Sequence, residues 1–70
     1  MSPEALTLIA KLHEARDKQN APHAIYATDR PEMLALVAEL VEHGYLVKRV
    51  RREVDPFDSY MTTDKSLPNA

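Results

Sequence analysis

Residues 23–54, HAIYATDRPEMLALVAELVEHGYLVKRVRREV, decide the fold. His23 to Thr28, with Ile25 and Tyr26 at its centre, is too short and too continuously apolar for a helix and reads as a buried strand. Asp29 with Glu32 three residues later has the form of a capping box, and Pro31 suits a first helical turn, so a helix is expected from there. Met33, Leu34, Leu36, Val37, Leu40 and Val41 give it a broad apolar face, opposed by a narrow line of Glu32, Ala35, Glu39 and Glu42. Such breadth predicts burial on two sides. Gly44 supplies the C-terminal exit. Tyr45 to Val54 then reads as a second strand, with Leu46, Val50 and Val54 on one face and Tyr45, Val47, Arg49 and Arg51 on the other.

Outward from this unit, Ser2 is a helix cap, Pro3 fits the first helical position and Glu4 suits the positive helix end. Ala5, Leu8, Ile9 and Leu12 recur at helical spacing, and Asn20-Ala21-Pro22 is a stop in which Asn tolerates a left-handed exit. Pro3 to Glu14 aligns without gaps on Pro31 to Glu42, with seven of twelve positions identical. The chain thus reads as two αβ units, by duplication or by convergence on common helix formers. Asp55-Pro56 makes a turn, Ser59 to Thr63 is a short third strand or a mobile arm, and 64–70 is a flexible tail.

The expected fold is a small two-layer α-β-α-β unit, with a further strand if the tail supplies it, forming a single α/β domain over residues 1–63. A right-handed crossover from the first strand to the second would make them a parallel pair. Two strands do not make a stable sheet, so the tail or edge pairing with a second copy must complete it. Seventy residues bury only about 60% of the unfolded surface, and the chain has no cysteine for a disulfide or thiolate metal site. Homodimerisation is the remaining means of support.

A net charge of −2, with 44% hydrophobic and 29% charged residues, is ordinary for a soluble chain and predicts no strongly charged partner. The N-terminus lacks a basic region and the longest apolar run is Met33 to Ala38, so neither a signal peptide nor a membrane span is expected, and the expected location is cytoplasmic.

Lys48, Arg49, Arg51 and Arg52 are the densest charge feature. They suit phosphate contact, with Tyr45 to stack a base, or else they protect a sheet edge or pair with Glu53, Asp55 and Asp58. Asp29 and Arg30 fall at the carboxyl end of a strand, where open α/β sheets place ligands, but the expected cap occupies the helix N–H groups. His13, His23 and His43 lack metal-ligand spacing, and no cofactor is expected. Ser59 with Asp55 and Asp58 has neither an elbow glycine nor a positioned base and reads as turn chemistry, so no enzyme activity is expected. Met33, Leu36, Val37, Leu40, Phe57 and Tyr60 are candidates for a protein interface; for Phe57, Tyr60 and Met61 the first expectation is that they cover the open sheet, and the second that they anchor another protein.

Ala27-Thr28-Asp29-Arg30-Pro31, the helix through Gly44 and the strand from Tyr45 resemble the opening strand, Asp-Arg-Pro-Gly, helix and strand of ACT-type regulatory domains. The resemblance spans about thirty residues. It implies a ferredoxin-like unit that binds an amino acid at a dimer interface. Glu32 stands where that family has the glycine that approaches the ligand. The leading expectation is a non-enzymatic protein-binding module, a dimeric regulator or inhibitor of a larger protein. Nucleic-acid binding by Lys48 to Arg52 and an ACT-like small-ligand sensor are the alternatives.

Overall fold

The computed structural model describes residues 1–54 and 56–67. Along the chain come α1 (Pro3–Lys18), β1 (Ile25–Ala27), α2 (Pro31–Glu42), β2 (Leu46–Lys48) and β3 (Ser59–Thr62). Helix α1 starts where its cap dictates: the Ser2 hydroxyl accepts the Ala5 N–H at 3.2 Å. It ends in the left-handed turn expected of Asn20, at φ 51°. Helix α2 ends at Gly44, whose φ of 83° favours glycine. Its start differs from expectation. Arg30 is the N-cap and no side chain caps the helix; Glu32 instead pairs with Arg30 at 3.3 Å, and the Thr28 hydroxyl accepts the Arg30 N–H at 3.1 Å. Pro31 sets the backbone for the first turn and removes one of the N–H groups a cap would satisfy.

The sheet has the order β1-β3-β2 and is antiparallel throughout. This corrects the expected parallel pair; of the two expected ways of completing the sheet, the tail supplies the third strand as β3, and dimerisation is not needed for it. Strands β1 and β2 do run the same way, but β3 lies between them. Parallel pairing of two three-residue strands would be weak, whereas a returning strand in the gap gives each of them an antiparallel ladder. The β-α-β crossover is therefore split, as in ferredoxin-like units, with α1 rather than a later helix beside α2. The expected second strand is also too long: β2 stops at Lys48, and 49–54 and 56–58 lie outside the strands. Val50 and Val54, expected on the same strand face as Leu46, lie beyond the end of β2 and are 92% and 80% exposed.

Both helices lie on one side of the sheet. Leu8, Ile9 and Leu12 of α1 and Val37 and Leu40 of α2 share a core with Ala5, Ala24, Tyr45 and Leu46, and Tyr26 and Tyr60 pack against it from the sheet. The aligned helical repeats bury matching positions, Ile9 with Val37 and Leu12 with Leu40. Ser2 ties α1 to α2, donating its N–H and hydroxyl to the two carboxylate oxygens of Glu39 at 2.5 and 2.9 Å. Those bonds hold the Glu39 carboxyl below its usual pKa. Thr62, fully buried, accepts the Ala24 N–H on its hydroxyl at 3.3 Å and donates its own N–H to Ala24 O at 3.2 Å. The molecule is flat, 39 × 28 × 16 Å. No helix among the described residues is long and apolar enough to cross a membrane.

Candidate functional site

The register of the sheet sorts its residues into two faces. Directly opposed residues in antiparallel strands point to the same side. Tyr26, Tyr60 and Lys48 form one row across the three strands, and Leu46 and Thr62 the next, both on the helix side. Ile25, Met61 and Val47 form the alternate row, on the side that no helix covers. Ala27 and Ser59 extend it along β1 and β3. Ile25 is 55% and Val47 42% exposed, and Met61 between them is half-buried by these two neighbours.

This pattern is unusual. An antiparallel sheet with one wet face alternates apolar residues inward with polar residues outward. Here the five outward positions within the strands are Ile25, Ala27, Val47, Ser59 and Met61, none of them charged. A domain buries its sheet faces against another layer, and among the described elements no helix lies on this face. The sequence reading placed these residues on strands and selected only Met61 among them, as sheet cover or partner anchor, because which face of a short strand is covered depends on where the helices pack.

The predicted interface residues lie elsewhere. Val37 and Leu40 are buried in the core, and Met33, Leu36 and Tyr60 pack against its edge. The broad apolar face of α2 packs on α1 and the sheet within the chain. What α2 leaves outward is Leu34, Ala38 and Val41, a line at spacings of four and three residues on which Leu34 and Val41 are each 38% exposed. Phe57 is half-buried in the loop before β3.

The cations sit at the far end of β2 from Tyr45. Tyr45 is buried and carries Lys65 over its ring at 4.5 Å from the centroid, so it cannot stack a base beside the arginines. Lys65 also donates to His43 O at 2.6 Å. Lys48 pairs with Asp58 at 3.2 Å across the neck of the loop, which is one of the pairings expected for it. Arg51 donates to Pro56 O at 3.0 Å, and Arg51 and Arg52 make further contacts within the chain. Arg49 donates its backbone N–H to Ser59 O at 2.9 Å, extending the ladder by one residue. Asp55 lies outside the described residues.

At the carboxyl end of β1, the Arg30–Glu32 pair occupies the position where the ACT-type resemblance would put a ligand. Between α1 and α2 a groove of about 320 Å³ has Leu8, Met33 and Leu36 on its walls. Its polar side chains, Glu4, Thr7 and Lys11, all stand on the exposed side of α1. His13 is buried, and Arg16 lies 3.4 Å from its Nδ1. Since Arg only donates, the neutral ring carries its proton on Nε2, which is buried without a partner among the described residues. Burial and Arg16 lower its pKa below the ordinary value. Among the described residues no three His, Asp or Glu side chains gather into a metal site.

Comparison with protein-family models, with curated proteins and with solved structures finds no match to this chain.

Proposed function

We propose that the protein is a non-enzymatic protein-binding module whose docking surface is the uncovered face of its sheet. The observation that carries this reading is the row Ile25, Met61 and Val47, exposed at Ile25 and Val47 and half-buried at Met61, with no charged residue among the outward strand positions. Water disfavours such a row, and a polypeptide layer laid on it recovers about 25 cal/mol for each Å² of apolar surface removed. The line Leu34, Ala38 and Val41 on the opposite side of the molecule leaves a second, smaller contact for a larger protein that the module regulates or inhibits.

The test is capture from native extract by the immobilised chain, comparing wild type with Ile25→Lys and Val47→Lys and with Glu14→Lys on exposed α1 as control. The reading expects a stoichiometric polypeptide, this chain included, that is lost with either sheet-face lysine and retained with the control. Failure to recover any polypeptide, or equal recovery by all variants, contradicts it.

The clustering of Lys48, Arg49, Arg51 and Arg52 favours a second reading, nucleic-acid contact by these four side chains. This reading expects a salt-sensitive gel shift that Arg49→Glu with Arg51→Glu abolishes; no shift at low salt ends it.

A further inference from the structure

We infer that residues 63–65 form a strap that closes over Tyr45 and the C-terminal end of α2, is latched by the charge of Lys65, and opens by itself while the rest of the fold stays formed. The strap does not depend on the docking reading above.

The strap is tied to one place, residues 43–45. The Thr63 N–H donates to Tyr45 O at 3.2 Å, and the Thr63 hydroxyl donates to Gly44 O at 2.6 Å. The same hydroxyl accepts the Lys65 N–H at 3.3 Å, which makes the turn that carries the lysine back over the helix end. There the Lys65 ammonium donates to His43 O at 2.6 Å and stands 4.5 Å from the centroid of the Tyr45 ring.

Helix chemistry explains why a lysine is used. The last carbonyls of a helix lack partners within it and carry the negative end of its dipole, so a cation placed there is stabilising. The last turn of α1 holds Arg16 and Lys18, whereas the last turn of α2 holds no basic residue. Lys65 supplies that missing cation from 22 residues away. One ammonium therefore serves both the helix end and the face of an aromatic ring, and removing its charge weakens both contacts together.

Burial explains why the strap opens separately. Its side-chain bonds lie in exposed settings where water can replace them. Thr62, the residue before it, is fully buried and exchanges two hydrogen bonds with Ala24. On the other side, the Tyr45 N–H is held by Leu40 O at 2.9 Å, a bond the strap does not make. The boundary between the firmly held and the releasable chain thus falls between Thr62 and Thr63.

Native-state hydrogen exchange of the full chain, read by NMR at single amides, tests this. The wild-type Thr63 amide is expected to be protected, yet to exchange faster than that of Thr62. Lys65→Met keeps the aliphatic stem and removes the ammonium; it is expected to speed Thr63 exchange about five- to thirtyfold and to leave the Thr62 and Tyr45 amides unchanged. Lys65→Arg should remain close to wild type, and salt at about 1 M should speed Thr63 exchange in wild type more than in Lys65→Met. A wild-type Thr63 amide without protection overturns the inference, as does one indifferent to Lys65→Met. Equal acceleration at Thr62 and Tyr45 would mean that residues 63–65 open only with the whole fold, and Lys65→Arg as fast as Lys65→Met would mean that charge is not the latch; either result also overturns it.

Discussion

Replacing Thr62 by Val probes the strand on which the architecture turns. Thr62 is fully buried at the inner face of β3, and its hydroxyl is the acceptor for the N–H of Ala24, itself 4% exposed. Valine preserves the branched shape, so no cavity forms and the propensity for strand is kept. What is lost is the acceptor, which leaves a buried N–H without a partner at a cost of about 1–3 kcal/mol. Removing a hydroxyl from apolar surroundings offsets part of this, so a net loss of about 1–2 kcal/mol is expected. For a domain of this length that lowers Tm by roughly 4–15 °C. In urea, with a slope of about 1 kcal/mol per M, the midpoint falls by about 1–2 M at unchanged slope. Thr63→Val is the control: its hydroxyl donates to Gly44 O at 2.6 Å in an exposed setting where water can replace the bond, so its effect should be smaller. A Thr62→Val variant as stable as wild type would refute the placement of β3 at the centre of the sheet.

Further outcomes follow from the helices and the titrating groups. Ser2→Ala removes the cap of α1 and should cost about 1 kcal/mol by urea denaturation. It should also raise the Glu39 pKa toward its ordinary 4.5 in an NMR titration, because the wild-type value is held down chiefly by the Ser2 backbone and side-chain bonds. The Glu39 contribution to wild-type stability is present above 4.5 and lost as pH falls through the lowered folded value, so the variant should show a shallower acid loss. His13 should titrate below 6.5, through burial first and Arg16 second. The unfolded chain then takes up the proton before the folded one, so stability falls as pH drops below 6.5 until folded His13 is protonated, and His13→Leu should flatten that slope. Gly44→Ala should cost about 1–2 kcal/mol by thermal melting, from the left-handed φ alone, since the nearest atom to an added Cβ is Lys65 Cδ at an ordinary 3.8 Å.

The helices and their ends were largely legible because their signals are local. Ser2, Asn20 and Gly44 act through their own hydrogen bonds and backbone angles, and the spacing of Ile9, Leu12, Val37 and Leu40 marks one buried side. The sheet was less legible because its decisive feature is not local. Nothing in Ser59-Tyr60-Met61-Thr62 announces that it inserts between two strands already joined by a helix, and the valines at 50 and 54 imitate the period of a longer β2. The candidate site was missed for a related reason. Periodicity finds apolar residues, but whether they face a helix or water depends on which side of the sheet the helices choose. Met33, Leu36, Val37 and Leu40 therefore looked available and are packed, while Ile25 and Val47 looked like ordinary strand residues and are exposed; Met61 was marked as sheet cover or anchor without its face being known.

The docking face exists only if Met61 lies between Ile25 and Val47 on the side away from the helices. Nuclear Overhauser contacts from the Met61 methyl group read this directly. The account predicts contacts to the side chains of both Ile25 and Val47 and none to Ile9 or Leu40. Contacts to Ile9 or Leu40, or direct contacts between Ile25 and Val47 as neighbours in a parallel pair, would contradict it.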